Sequence, residues 1–157
     1  MYTAADLLSR YWDGSIPVDP ARIAQTIGII VRPELSLTGG ASGLIEQTPT
    51  EIVIRFDATE PPVRQRFTIA HELGHFALGH LRSGQACFRD TKAQFYSVQR
   101  DPRETMANQF AAELLMPEQI VKHLVLERHL MDVTRLANVF GVSEPAMGFR
   151  LKNLALA

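Results

Sequence analysis

Three residues in one short stretch carry the chemistry this chain can do: His71-Glu72-Leu73-Gly74-His75 reads H-E-x-x-H. On an α-helix the two histidines sit one above the other, about 40° apart around the axis and about 6 Å along it. Two neutral imidazoles so placed can grip one Zn²⁺, and Glu72 on the same flank can take a proton from a water bound to the metal. Zinc supplies the Lewis acid and brings the water pKa to about 7, and the carboxylate supplies the base. That is the chemistry of metal-dependent peptide hydrolysis. The motif also arises by chance in proteins that bind no metal, so its surroundings have to support it.

The surroundings predict a helix from about Pro61 to about Gly79. Asp57 and Thr59 are candidate N-caps, Pro61-Pro62 fit a first turn, and Gly79 is a natural C-terminal stop. Ile69, Leu73, Phe76 and Ala77 fall opposite His71, so the back of the helix is apolar and its front carries His71, Glu72 and His75. Ala70 and Gly74 border that front and leave room for a substrate backbone. A polar trio on a core-like helix is costly unless paired or ligated.

A catalytic zinc takes three protein ligands, and two histidines are in hand. His80, nine residues after His71, projects to the opposite side if the helix continues, and is a poor ligand unless the helix has ended. The metzincin pattern needs its glycine and third histidine seven and ten residues after the first histidine; here Gly79 and His80 fall at eight and nine. A better third ligand is Glu104, on a helix capped by Asp101, with Pro102 in its first turn and Pro117 as its stop. Glu104 shares a face with Ala107, Asn108, Ala111, Leu114 and Leu115, whereas Glu113 points away. A carboxylate on the core-facing side needs a reason, and ligation would be one. The alternative is an acid favoured by the helix dipole in the first turn. Asn108, one turn on, is placed to hydrogen-bond a ligand.

Taken together, Arg64-Gln65-Arg66-Phe67-Thr68-Ile69-Ala70-His71-Glu72-Leu73-Gly74-His75 and Glu104, Ala107-Asn108, Phe110-Ala111-Ala112, Leu114-Leu115-Met116-Pro117 resemble the ImmA/IrrE family of metallopeptidases. The resemblance extends from Val18-Asp19-Pro20 to the tail at 136–154. It implies a gluzincin-like site with His71, His75 and Glu104 as ligands of Zn²⁺ or Mn²⁺ and Glu72 as base. It also implies a cytoplasmic endopeptidase whose partner is a repressor of the helix-turn-helix type.

The elements that must position these groups read as α+β. Thr3 to Trp12 and Pro20 to Thr26 are short helices, the second capped by Asp19 and stopped by Gly28. Ile29-Ile30-Val31, Ala41 to Glu46 and Glu51 to Phe56 are strands, giving a small three-stranded sheet beside the H-E-x-x-H helix. The last two form a hairpin. The Glu51–Phe56 strand is the candidate edge on which an extended peptide could be held across the metal; a sheet that only supports the helix is the alternative. The stretch 81–101 shows no period and could shape the cleft. His80, Tyr96, His123 and His129 are the groups that could polarise a scissile carbonyl, with nothing in the sequence to choose among them.

The tail has a helix over 118–131 and then a pair resembling a helix-turn-helix, with Gly141 at the turn and Ser143 capping the second helix. That second helix has Glu144, Pro145, Ala146 and Gly148 where base contacts would fall. This argues for packing or partner docking over DNA reading. At 157 residues the chain is of single-domain size, with 1–117 expected as catalytic core and 118–157 as a helical C-terminal part. Net charge is −1, which gives no general attraction to nucleic acid or membrane. The one cysteine, Cys87, allows no internal disulfide, and neither a signal peptide nor an apolar membrane span is evident, so a reducing cytoplasmic setting is expected. Two rivals to the peptidase remain at this point: a regulatory or toxin–antitoxin component that keeps the metal for stability, and a DNA-binding regulator acting through the tail.

Overall fold

The computed structural model describes residues 1–81, 87–91 and 101–157, the stretch 87–91 as backbone only. The N-terminal helices form where their caps predict. In α1 (Ala4–Tyr11) the Thr3 hydroxyl accepts from the Asp6 amide while Asp6 accepts from the Thr3 amide, a reciprocal capping box. In α2 (Pro20–Ile27) Asp19 accepts from the Arg22 amide, Pro20 sits at the first position, and Gly28 closes the helix at φ 102°.

The three expected strands, β1 (Ile30–Glu34), β2 (Ala41–Gln47) and β3 (Ile52–Asp57), are joined by a fourth, β4 (Cys87–Thr91), in the order β1-β3-β2-β4. β2 and β3 make the anticipated antiparallel hairpin. β1 runs parallel to β3, which therefore has neighbours on both sides. This corrects the expectation that the Glu51–Phe56 strand is an edge: its amides and carbonyls are used within the sheet, so it offers no ladder to a peptide. The reason is topological. A short 3₁₀ turn (Thr38–Gly40) leads β1 out of the sheet, and the hairpin returns β3 beside it. β4 arises within a stretch where no strand was expected; of 81–101, residues 82–86 and 92–100, including Tyr96, lie outside the described residues.

The H-E-x-x-H helix is α3 (Pro62–Ala77). Neither Asp57 nor Thr59 caps it: Pro61 holds the N-cap position without a side-chain hydrogen bond, and Asp57 instead accepts from the amide and hydroxyl of Thr59 in the preceding turn. α3 lies between β2 and β3 on one side and α4 (Pro102–Leu115) on the other. α5 (Glu118–Lys122) runs on through a π-helical turn (His123–Glu127), followed by α6 (Val133–Phe140) and α7 (Glu144–Asn153). One hydrophobic cluster takes in Leu7, Ile23, Ile45, Ile54, Leu73, Leu114, Phe140 and Met147, so the sheet, α3, α4 and the tail pack around a shared core. No helix among the described residues is long and apolar enough to cross a membrane.

Candidate metal centre

α3 and α4 bring the predicted ligands to one point. His71, His75 and Glu104 are buried, and their ligating atoms all lie within 4.8 Å of one another. His71 Nε2 is 2.9 Å from Glu104 Oε2, His75 Nε2 is 3.2 Å from Glu104 Oε1, and the two Nε2 atoms are 3.1 Å apart. Ligands on a tetrahedral Zn²⁺ with bonds of about 2.0–2.1 Å stand about 3.3 Å from each other, so the spacing is close to that of a coordination shell. Glu113, by contrast, is only half-buried and accepts from Gln109 away from the centre.

Hydrogen-bond chemistry shows that the residues present fit a cation. Asn108 Oδ1 lies 2.7 Å from His71 Nδ1 and can only accept, so Nδ1 carries the hydrogen. A neutral His71 then turns its Nε2 lone pair on the Glu104 carboxylate and on a second imidazole, an arrangement that calls for positive charge between them. Glu104 Oε1 is buried and makes no aligned hydrogen bond. Before an ion binds, protons on the two Nε2 atoms supply that positive charge: burial alone would push the Glu104 carboxyl up, but hydrogen bonds from the protonated His71 and His75 rings and their charge bring it down to about 2. The oxygen is thus held ionised and ready to ligate. The mixed nitrogen and oxygen set suits a divalent transition-metal ion, Zn²⁺ and Mn²⁺ among them.

His80 also belongs to the centre, at the far side of His75: their Nδ1 atoms are 2.8 Å apart and His80 is buried. The helix has ended before it, the condition the sequence left open, and His80 meets His75 and does not join the three-residue cluster. Burial first, then the neighbouring His75, lowers the His80 pKa. The available sequence signal was Gly79, a helix-stopping residue one position upstream.

Glu72 is fully buried on the flank of α3 that faces the sheet, one turn beyond Thr68. Gly43 of β2 makes room for both: a Cβ there would collide with Thr68 Cγ2 and lie 3.3 Å from Glu72 Oε1. Gly74 has a different job from the one expected. A Cβ on it would meet the Phe110 ring at 3.0 Å and the Ala107 carbonyl at 3.3 Å, so it lets α4 approach α3 and does not line a substrate path. Of the other candidate polarising groups, His123 and His129 are exposed, and His123 pairs with Glu127 at 3.0 Å. Beside the centre, Asn108 also lines a groove of about 660 Å³ bounded by Val63, Phe67, Ala146 and Phe149.

Comparison with known proteins agrees with this geometry. Among solved structures, a chain described as a Mycobacterium tuberculosis transcriptional regulator superimposes with a TM-score of 0.58 at 23% identity, which shows a shared fold. The match covers 83% of this chain and 38% of that one, so the chain spans well under half the length of that structural relative. No curated protein matches this chain. The profile of the M78 peptidases, described as the IrrE N-terminal-like domain, matches residues 25–152, which hold β1 to β4, α3 and α4 with all the residues of the centre. The chain therefore belongs to the M78 peptidase family.

Proposed function

We propose that the protein is a metal-dependent endopeptidase that cuts a partner protein, and that this partner is a transcriptional repressor of the helix-turn-helix type. The observation that carries the peptidase reading is the convergence of His71, His75 and Glu104 from two helices, with Glu72 in the intervening turn. The repressor reading is supported by the ImmA/IrrE resemblance.

His71, His75 and Glu104 would hold the ion, Zn²⁺ or Mn²⁺. When bound, it supplies Lewis acidity, lowering the pKa of water and polarising a carbonyl. The chain's own residues do the rest. Glu72 is the general base: its carboxylate accepts the proton of the attacking water as the new C–O bond forms. It then returns that proton to the leaving amine nitrogen as the C–N bond breaks. Asn108 orients His71, and burial of the whole group strengthens each of these interactions by excluding solvent.

Glu72→Gln tests the assignment, because it removes the base and spares the three ligands. The variant is expected to bind Zn²⁺ like the parent while cleavage of the repressor falls by at least about 10²-fold, the low end of what general acid–base catalysis contributes. Cleavage by the variant at the parental rate would overturn the mechanism. The substrate is tested separately by incubating the parent with the helix-turn-helix repressor from a neighbouring reading frame and mapping fragments by mass spectrometry. A repressor left whole by a zinc-loaded parent that cleaves other polypeptides would overturn the repressor assignment alone.

A further inference from the structure

We propose that His80 is a positioning residue for the centre: it accepts the Nδ1 hydrogen of His75 and thereby turns the Nε2 lone pair of His75 toward the metal. The inference deepens the metal-centre reading and rests on it.

The backbone at the end of α3 places His80. α3 closes with Gly79 in the left-handed region at φ 75°. The Gly79 amide donates to the Phe76 carbonyl at 3.1 Å and the His80 amide to the His75 carbonyl at 2.9 Å. These are the two bonds of a Schellman motif, whose outer residue folds back over the residue five positions earlier. In this motif an apolar contact frequently joins those two side chains. Here both are imidazoles, and their Nδ1 atoms meet at 2.8 Å.

Only one hydrogen fits between two nitrogens at that distance. If His80 donated it, His75 would be a neutral ring with its hydrogen on Nε2, and Nε2 could not ligate. If His75 donates it, Nε2 keeps its lone pair, which lies 3.1 Å from His71 Nε2 and 3.2 Å from Glu104 Oε1. Ligation therefore requires His75 to donate and His80 to accept, with the His80 hydrogen on its own Nε2. The two ligand histidines are then served alike: Asn108 accepts from Nδ1 of His71 and His80 from Nδ1 of His75. Burial of His80 keeps water from taking its place.

Zn²⁺ binding to the full chain, read by competition with a chromophoric chelator, tests the role. His80→Leu fills the space without an acceptor, and its affinity is expected to fall about 10- to 100-fold. His80→Asn sets an acceptor oxygen about where Nδ1 stood and should bind nearly as tightly as the parent. Leucine binding as tightly as the parent would overturn the proposal, as would asparagine binding as poorly as leucine. Should His80→Leu not fold, nitrogen-15 NMR of the zinc-loaded parent decides. Hydrogens on Nδ1 of His75 and Nε2 of His80 are expected, and a hydrogen on Nδ1 of His80 would overturn the proposal. A parent that takes up no Zn²⁺ at all would instead strike down the metal centre itself.

Discussion

Glu104 shows how much one buried side chain can reveal before any fold is known. It was legible because α4 is strongly patterned and a carboxylate on its apolar face has no cheap explanation; it is 4% exposed and touches both histidines. His80 was legible only in part, for an equally physical reason. Wheel arithmetic assumes a continuing helix, whereas a single positive φ at Gly79 redirects the next side chain onto His75. Glu104 and Glu113 make a matched pair for testing the ligand set, since both are glutamates of α4. Glu104→Ala is expected to weaken Zn²⁺ binding by about 100-fold or more, exceeding the loss from an orienting partner, whereas Glu113→Ala should leave it unchanged. Equal retention of zinc by the two variants would remove Glu104 from the site. The metal-free chain has a related acid dependence. The Glu104 carboxyl is lowered from its ordinary 4.5 to about 2, so its contribution to stability is complete above pH 4.5 and fades as pH falls toward 2.

At the scale of elements, the helices were readable because their ends are written in single residues. Asp19, Asp101 and Ser143 each cap the helix expected of them. Sheet order was not readable. The β-branched runs announce strands, yet nothing local distinguishes a central strand from an edge, and the parallel pairing of β1 with β3 depends on a connection that leaves the sheet and returns. The site is held by the seam between α3 and α4, and Gly74 sets its width. Gly74→Val would wedge a branched side chain against Phe110 and the Ala107 carbonyl. Overpacking of this kind costs about 1–3 kcal/mol. Because the histidines ride on α3 and Glu104 on α4, the same wedge should weaken Zn²⁺ binding, whereas an equally destabilising change elsewhere in the core should not. Denaturant unfolding of the metal-free variant alongside a zinc titration separates the two effects. Loss of stability with zinc affinity intact would show that the seam does not set the spacing of the site.

Across the whole molecule, Arg66 joins parts that lie far apart along the chain and carry no shared motif. It sits on α3 five residues before His71, the first of the two candidate ligand histidines. Its Nε donates to the Gly141 carbonyl at 3.0 Å, and its Nη2 donates to the carbonyls of Val18 at 2.5 Å and Phe140 at 3.4 Å. Gly141, at φ 64°, ends α6, and a Cβ there would come within 2.8 Å of Arg66 Nε, so the guanidinium and the glycine are fitted to each other. Arg150 plays the matching part from the tail, donating from a buried position to the Met116 carbonyl at the end of α4. This basic residue of the second tail helix is thus spent on packing, not held out toward a phosphate backbone. Arg66→Met keeps the aliphatic stem and deletes the donors, leaving up to three carbonyls without this partner. A buried acceptor stripped of its donor costs about 1–3 kcal/mol, and each kcal/mol lowers Tm by about 2–4 °C in a chain of this size. A fall in Tm of about 2–12 °C is therefore expected, with faster amide exchange across α6 and α7. Zinc affinity should stay near the parental value, because the ligand helices keep their own seam. If exchange in α6 and α7 stayed at the parental rate while Tm dropped, Arg66 would be stabilising α3 locally, and the tail would be held by its apolar contacts alone.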